Sequence, residues 1–155
     1  PYALAMTLAE TLGPRAAEAR VVGTDIDTEA LARARAGIYP LERVSKLDEA
    51  RTRRFFQRGT GSQAGLVRVR PELRDLVTFE PLNLLAPRWA LQGPFDAIFC
   101  RNVMIYFDKA TQARILERFA PLLKPDGLLF AGHSENFSYI TRTFRLRGQT
   151  VYTLA

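Results

Sequence analysis

Leu4, Leu8 and Leu12 recur at i, i+4 and i+8, a spacing that sets all three on one stripe of a helix, and Gly13-Pro14 stops it. Val21-Val22-Gly23-Thr24 follows as a short apolar run with acids directly behind it. The stretch Thr28–Ala36 then reads as a second helix, closed by Gly37. This strand-then-helix order returns further on. Phe95-Asp96-Ala97-Ile98-Phe99-Cys100 is almost continuously apolar, which predicts a strand covered on both faces. Asp108 caps a helix whose apolar face is Ile115, Leu116, Phe119, Leu122 and Leu123. Lys124-Pro125-Asp126-Gly127 predicts a turn that ends this helix, and residues 128–131 another buried strand. Segments 144–146 and 150–154 flank Arg147-Gly148-Gln149 as an antiparallel pair.

The sum is an α/β fold with a mostly parallel sheet and a C-terminal antiparallel hairpin. One segment, about 55–79, breaks the rhythm. Gly59-Thr60-Gly61 makes a glycine loop, Leu66-Val67-Arg68-Val69-Arg70 alternates strictly, and Val77-Thr78-Phe79 follows, which together predict a small inserted antiparallel β-subdomain. No repeat or low-complexity stretch interrupts the chain.

Composition narrows the class. With 155 residues, 47% hydrophobic and 25% charged, the chain can bury one globular core. No apolar run approaches the roughly 18 residues of a membrane-spanning helix, and the first residues lack the basic flank of a signal peptide, so the expectation is a cytoplasmic protein without membrane insertion. A single cysteine, Cys100, leaves no intrachain disulfide and no multi-cysteine zinc site, and His133 is the only histidine. No metal site is expected. The formal net charge of +6 favours anionic partners. The chain begins inside a helix without a methionine, which reads as a fragment lacking an N-terminal part.

In open α/β sheets ligands bind beyond the carboxyl ends of the strands, so Asp25, Asn83-Leu84, Arg101-Asn102 and His133-Ser134 are the positions to weigh. An ionised carboxylate there can accept from both hydroxyls of a ribose, and Asp25 is free for this if Asp27 or Thr28 caps the following helix. Asn83 could offer its amide to an adenine edge with Leu84 against the ring, although asparagine in a turn is ordinary. Arg101 and Asn102 leave the best-marked strand, with Tyr106 five residues after Arg101. His133 fits a hydrogen-bonded structural residue better than a base.

Taken together, residues 25–28 (DIDT), 81–85 (PLNLL), 95–107 (FDAIFCRNVMIYF), 122–136 (LLKPDGLLFAGHSEN) and 147–152 (RGQTVY) resemble the chemotaxis receptor glutamate O-methyltransferases, the CheR family. The likeness covers essentially the whole chain. It implies a Rossmann-like S-adenosylmethionine-dependent methyltransferase sheet and methylation of glutamate carboxylates on the cytoplasmic domain of bacterial chemoreceptors, yielding S-adenosylhomocysteine. It also implies that Asp25 binds the cofactor ribose, Asn83 and Leu84 contact the adenosine, Arg101 and Asn102 line the pocket, and Tyr106 lies beside the transferring methyl group. Residues 1–6 (PYALAM) resemble the tail of the family's first cofactor motif. In family members with a loop like Gly59-Thr60-Gly61, the β-subdomain docks a peptide from the receptor C-terminus as an added strand, with Arg68 or Arg70 near to meet its acidic groups.

Two other readings fit parts of the chain. A nucleic-acid methyltransferase would suit the charge, but no strand interleaves aromatic and basic residues for stacking bases, so nucleic acid is not the expected partner. A non-catalytic receptor-docking adaptor would keep the fold and the insertion.

Overall fold

In the computed structural model, which describes residues 1–155, the apolar stripe at the start folds as α1 (Tyr2–Leu12). Its buried side chains are Tyr2, Ala5 and Met6, while Leu4 and Leu8 flank that face and are only partly covered. The Tyr2 hydroxyl donates to the Ala34 carbonyl oxygen at 2.7 Å, so the burial of its ring leaves no polar group unpaired. The first strand, β1 (Val21–Asp25), leads into α2 (Thr28–Ala36). The Asp27 carboxylate accepts from the backbone N–H groups of Glu29 and Ala30, two of the donors a helix start leaves free.

Next come β2 (Ile38–Pro40), α3 (Glu49–Phe55), β3 (Phe56–Arg58), β4 (Leu66–Val69), the single turn α4 (Pro71–Arg74) and β5 (Val77–Pro81). Strands β2, β4 and β3 form an antiparallel sheet in that order, with β4 central. This corrects the expected boundaries of about 55–79. The sheet recruits Ile38–Pro40, a partner too short and too distant in sequence to show any alternation. It also excludes Val77-Thr78-Phe79, which pair in parallel with β1, Val21 opposite Val77 and Asp25 opposite Pro81. Val67 and Val69 point into the core with Phe55, Phe56, Leu73 and Val77, while Arg68 between them faces out, as a period of two requires.

These elements make up one unit, Pro1–Asn83, and a second unit runs over Leu84–Ala155. The second contains β6 (Phe95–Cys100), α5 (Lys109–Phe119), β7 (Leu123–Ala131), β8 (Phe144–Gly148) and β9 (Val151–Leu154). Its sheet has the order β6-β7-β9-β8, with β6 and β7 parallel and the hairpin β8-β9 antiparallel. Parallel pairing therefore occurs twice, in two separate sheets.

Two expectations change in this unit. Residues 124–127 are not a free turn. They lie within β7, where the register jumps from Phe95 opposite Leu123 to Ala97 opposite Leu128, so Lys-Pro-Asp-Gly bulges out of an otherwise continuous strand. The bulge is fastened by Lys124 Nζ to Asp96 Oδ1 at 2.5 Å. Nor is β6 covered on both faces. Cys100 packs on the core with Leu129, Ala131, Ile115, Leu116 and Phe119, whereas Phe99 on the other face is 45% exposed and stacks on Phe130 at 4.2 Å. Leu116 and Leu129 are fully buried, each contributing roughly 1.5–3 kcal/mol.

No helix is long and apolar enough to cross a membrane. The hairpin is tied to the chain before it by the buried Tyr152 hydroxyl, which accepts from the Phe137 backbone N–H at 3.1 Å. Tyr152→Phe strands that buried donor and should cost about 1–3 kcal/mol in urea unfolding, while a change below about 0.5 kcal/mol would contradict the role.

Candidate active site

In the first unit the candidate residues gather where β1 and β5 end. The Asp25 carbonyl oxygen accepts from Leu82 N–H at 2.8 Å, which continues the parallel ladder one step past the strands. Its side chain is exposed, and Oδ1 accepts from Asp27 N–H at 3.0 Å. That single bond orients the carboxylate, and because Asp27 serves as the helix cap, Asp25 is spared that task. A carboxylate held by one oxygen at a strand end suits a vicinal diol, which needs two acceptors in a fixed plane. Asn83 lies just beyond β5 and is exposed.

Leu84 belongs to the second unit and packs against its core. Arg101 and Asn102 leave β6 with exposed side chains, and Asn102 has φ 59°, the left-handed conformation that asparagine tolerates better than most residues. A short 3-10 turn, Met104–Tyr106, comes next. It buries Met104 completely and leaves Tyr106 80% exposed. The chain thus exposes Arg101, Asn102 and Tyr106 from one turn while anchoring that turn by Met104.

A residue outside the expected set organises this turn. Glu135 is only 6% exposed, and its carboxylate accepts four backbone N–H bonds. Oε1 takes Val103 at 3.0 Å and Met104 at 2.8 Å; Oε2 takes Asn102 at 3.0 Å and Gly132 at 2.6 Å. The opposite polarity is handled by Gln112 from α5, whose amide donates to the carbonyl oxygens of Met104 at 2.9 Å and Phe107 at 2.8 Å. Gly132 has no room for a side chain, since a Cβ there would sit 2.4 Å from Asn102 Oδ1 and 2.8 Å from Glu135 Oε2. Sequence reasoning passed over Glu135 because its partners are main-chain groups, which leave no trace in side-chain spacing. The one signal was an acid inside the quoted string GHSEN, right after a buried strand. His133, two residues away, is exposed.

The docking candidates lie in and around the small antiparallel sheet. Gly59 sits after β3, where its N–H bonds to Leu66 at 2.9 Å and a Cβ would lie 2.1 Å from the Gln63 carbonyl oxygen. Gly61 has φ 56°. Arg68 lies on the exposed face of the central strand β4, not on an edge, and Arg70 is past the strand, with Nε donating to the Arg53 carbonyl oxygen at 3.1 Å. The free edges of that sheet are β2 and β3. A cavity of about 840 Å³ lies towards the opposite end of β1 from Asp25 and is lined by Arg20, Arg53, Arg54 and Arg70 among others. It contains none of the cofactor candidates. No cluster of three or more His, Cys, Asp or Glu residues is arranged to hold a metal ion.

Residues 1–153 match the family described as CheR methyltransferase, SAM binding domain. The chain is 62% identical over 155 residues to the chemotaxis protein methyltransferase of Escherichia coli, covering 100% of the chain and 54% of that protein. It is 64% identical over 154 residues to the protein of the same name from Klebsiella aerogenes, covering 99% and 53%. Chemotaxis protein methyltransferase 2 of Pseudomonas aeruginosa is 54% identical over 155 residues, covering 100% and 55%. The chain spans about half the length of these curated relatives.

Burial, and secondarily the Glu135 charge, push the Cys100 thiol up from 9.0 to about 12. The folded state holds this group neutral while the unfolded chain ionises it, so its stabilising contribution is complete below pH 9 and is lost as pH rises towards 12. Cys100→Ala removes this dependence. In urea unfolding from pH 9 upward, wild type should lose about 1.4 kcal/mol per pH unit more than the variant; parallel curves would contradict the burial of an un-ionised thiol.

Proposed function

Since the chain belongs to the CheR methyltransferase family, over its S-adenosylmethionine-binding domain, we propose that the full-length protein methylates glutamate side chains on the cytoplasmic domain of a bacterial chemoreceptor. The observation that carries this reading is the turn after β6, rigidly bonded through its main chain yet presenting Arg101, Asn102 and an 80% exposed Tyr106 outward. S-adenosylmethionine supplies an electrophilic methyl group on a sulfonium. The acceptor needs no deprotonation, because a glutamate with a pKa near 4.3 is already ionised at neutral pH. That chemistry asks the protein for alignment and exclusion of water, not for a general base, and so places no demand on His133.

In this scheme Asp25 accepts from the ribose hydroxyls, Asn83 and Leu84 hold the adenosine, and Arg101 and Asn102 line the pocket. Tyr106 is the catalytic residue, orienting the carboxylate or stabilising charge beside the methyl group. The Rossmann-like character of the fold rests on both parallel pairs carrying these residues at the carboxyl ends of their strands. Cytoplasmic action follows from a receptor substrate of that compartment, and the net charge of +6 suits acidic helices. Docking of a receptor tail peptide belongs at a free edge, β2 or β3. There unpaired backbone groups can accept an added strand, with the Gly59 and Gly61 loop shaping the end of β3, and Arg68, exposed one strand in from either edge, or Arg70 near to meet the peptide's acidic groups. Such a tether raises the local concentration of methylation sites.

Label transferred from S-adenosylmethionine to receptor membranes by the full-length protein should leave as methanol in alkali; alkali-stable label would rule out carboxyl esters. Asp25→Ala should weaken cofactor binding about 10- to 100-fold by titration calorimetry, the equivalent of a charged hydrogen bond. Tyr106→Phe should leave that affinity within about twofold and lower kcat about 10-fold or more, as expected for an interaction made mainly in the transition state. Loss of cofactor binding by Tyr106→Phe would contradict its role.

A further inference from the structure

We infer that Glu135 is a positioning residue for the methyl-transfer site. Its buried carboxylate, with Gln112 on the carbonyl side, preforms the 101–107 turn so that Asn102 and Tyr106 are already in place when the cofactor arrives. This rests on the reading of that turn as part of the cofactor site.

An ionised carboxylate has about four acceptor positions. All four are used here, by the N–H groups of Gly132, Asn102, Val103 and Met104, and no lysine or arginine pairs with Glu135. Three successive N–H groups converging on one anion form the kind of concavity that elsewhere binds phosphate or carboxylate ligands. In this chain the anion is internal. The turn therefore cannot offer these N–H groups to a substrate carboxylate, and recognition is left to the outward side chains.

Neutral substitutes do not fill the role. A glutamine has one acceptor oxygen, and its NH₂ would face N–H donors, so two of the four main-chain groups would lose their partner, at least one of them in the turn. The side-chain-free Gly132 is set by this packing, because the space a Cβ there would need is taken by Asn102 and Glu135. On the far side, Gln112 fixes the carbonyl groups that bracket Tyr106, at Met104 and Phe107. The turn is thus held on both polarities of its backbone. A turn ordered beforehand does not charge its ordering entropy to ligand binding.

Glu135→Gln in the full-length protein tests this, with S-adenosylhomocysteine as the calorimetric probe and amide hydrogen exchange of the ligand-free protein as a second readout. The expected result is a dissociation constant at least tenfold higher with stoichiometry still near one. Exchange should be faster at residues 102–104, and Glu135→Asp should recover part of the affinity. A merely structural Glu135 would instead lower the stoichiometry of competent sites and leave the dissociation constant within twofold of wild type, which would overturn the inference. If Glu135→Gln does not fold, Gln112→Met takes its place, with binding expected to weaken several-fold and an unchanged constant overturning the inference.

Asn102→Ala separates the two levels. Weakened binding by Asn102→Ala beside unchanged binding by the Glu135 and Gln112 variants would sink the positioning role alone. Unchanged binding in all of them would sink the cofactor reading of the turn as well.

Discussion

The turn that follows β6 is built around one buried negative charge. A carboxylate that is 6% exposed and lacks a cationic partner would be costly to bury unbonded, and four N–H donors satisfy the oxygens of Glu135. The dependence runs both ways. Without the carboxylate, the buried N–H of Met104 and the partly buried ones of Asn102 and Val103 would lose their acceptor. The left-handed Asn102, the crowded Gly132 and the wholly buried Met104 all lie at or next to these bonds. The Cys100 thiol is pushed up by its burial first and by the Glu135 charge second.

Chemistry and architecture are divided along the chain in a consistent way. Strand interiors supply apolar contacts, and the carboxyl ends of the strands and the loops that follow supply polar ones: Asp25 at the end of β1, Asn83 after β5, Arg101 and Asn102 after β6, Glu135 in the loop after β7. Methyl transfer to a carboxylate suits such a design, because it needs alignment more than proton transfer, and main-chain geometry at strand ends is the most rigid source of alignment an α/β fold offers.

Much of this was legible in the residues. Local periodicity locates α1, β1, α2, α5 and the C-terminal hairpin; cap chemistry gives Asp108 for α5 and narrows the α2 cap to Asp27 or Thr28, which the bonds from Glu29 and Ala30 assign to Asp27. Long-range pairing was not legible. Ile38–Pro40 becomes a strand only because Leu66–Arg68 lies beside it, and Val77–Phe79 looked like part of the insertion until β1 claimed it. The bulge at 124–127 was mistaken for a turn because Pro-Asp-Gly has the same composition in both. Glu135 escaped for a different reason: its four partners are backbone groups, and hydrophobic patterning records only side chains.

The most direct measurement is a crystal structure of the full-length protein with S-adenosylhomocysteine, compared with one of the free protein. The account predicts the sulfur end of the nucleoside against the turn at 101–106, with all four Glu135 bonds unchanged between the two states. A nucleoside bound elsewhere, or a turn that rearranges on binding with Glu135 released from its N–H partners, would contradict it.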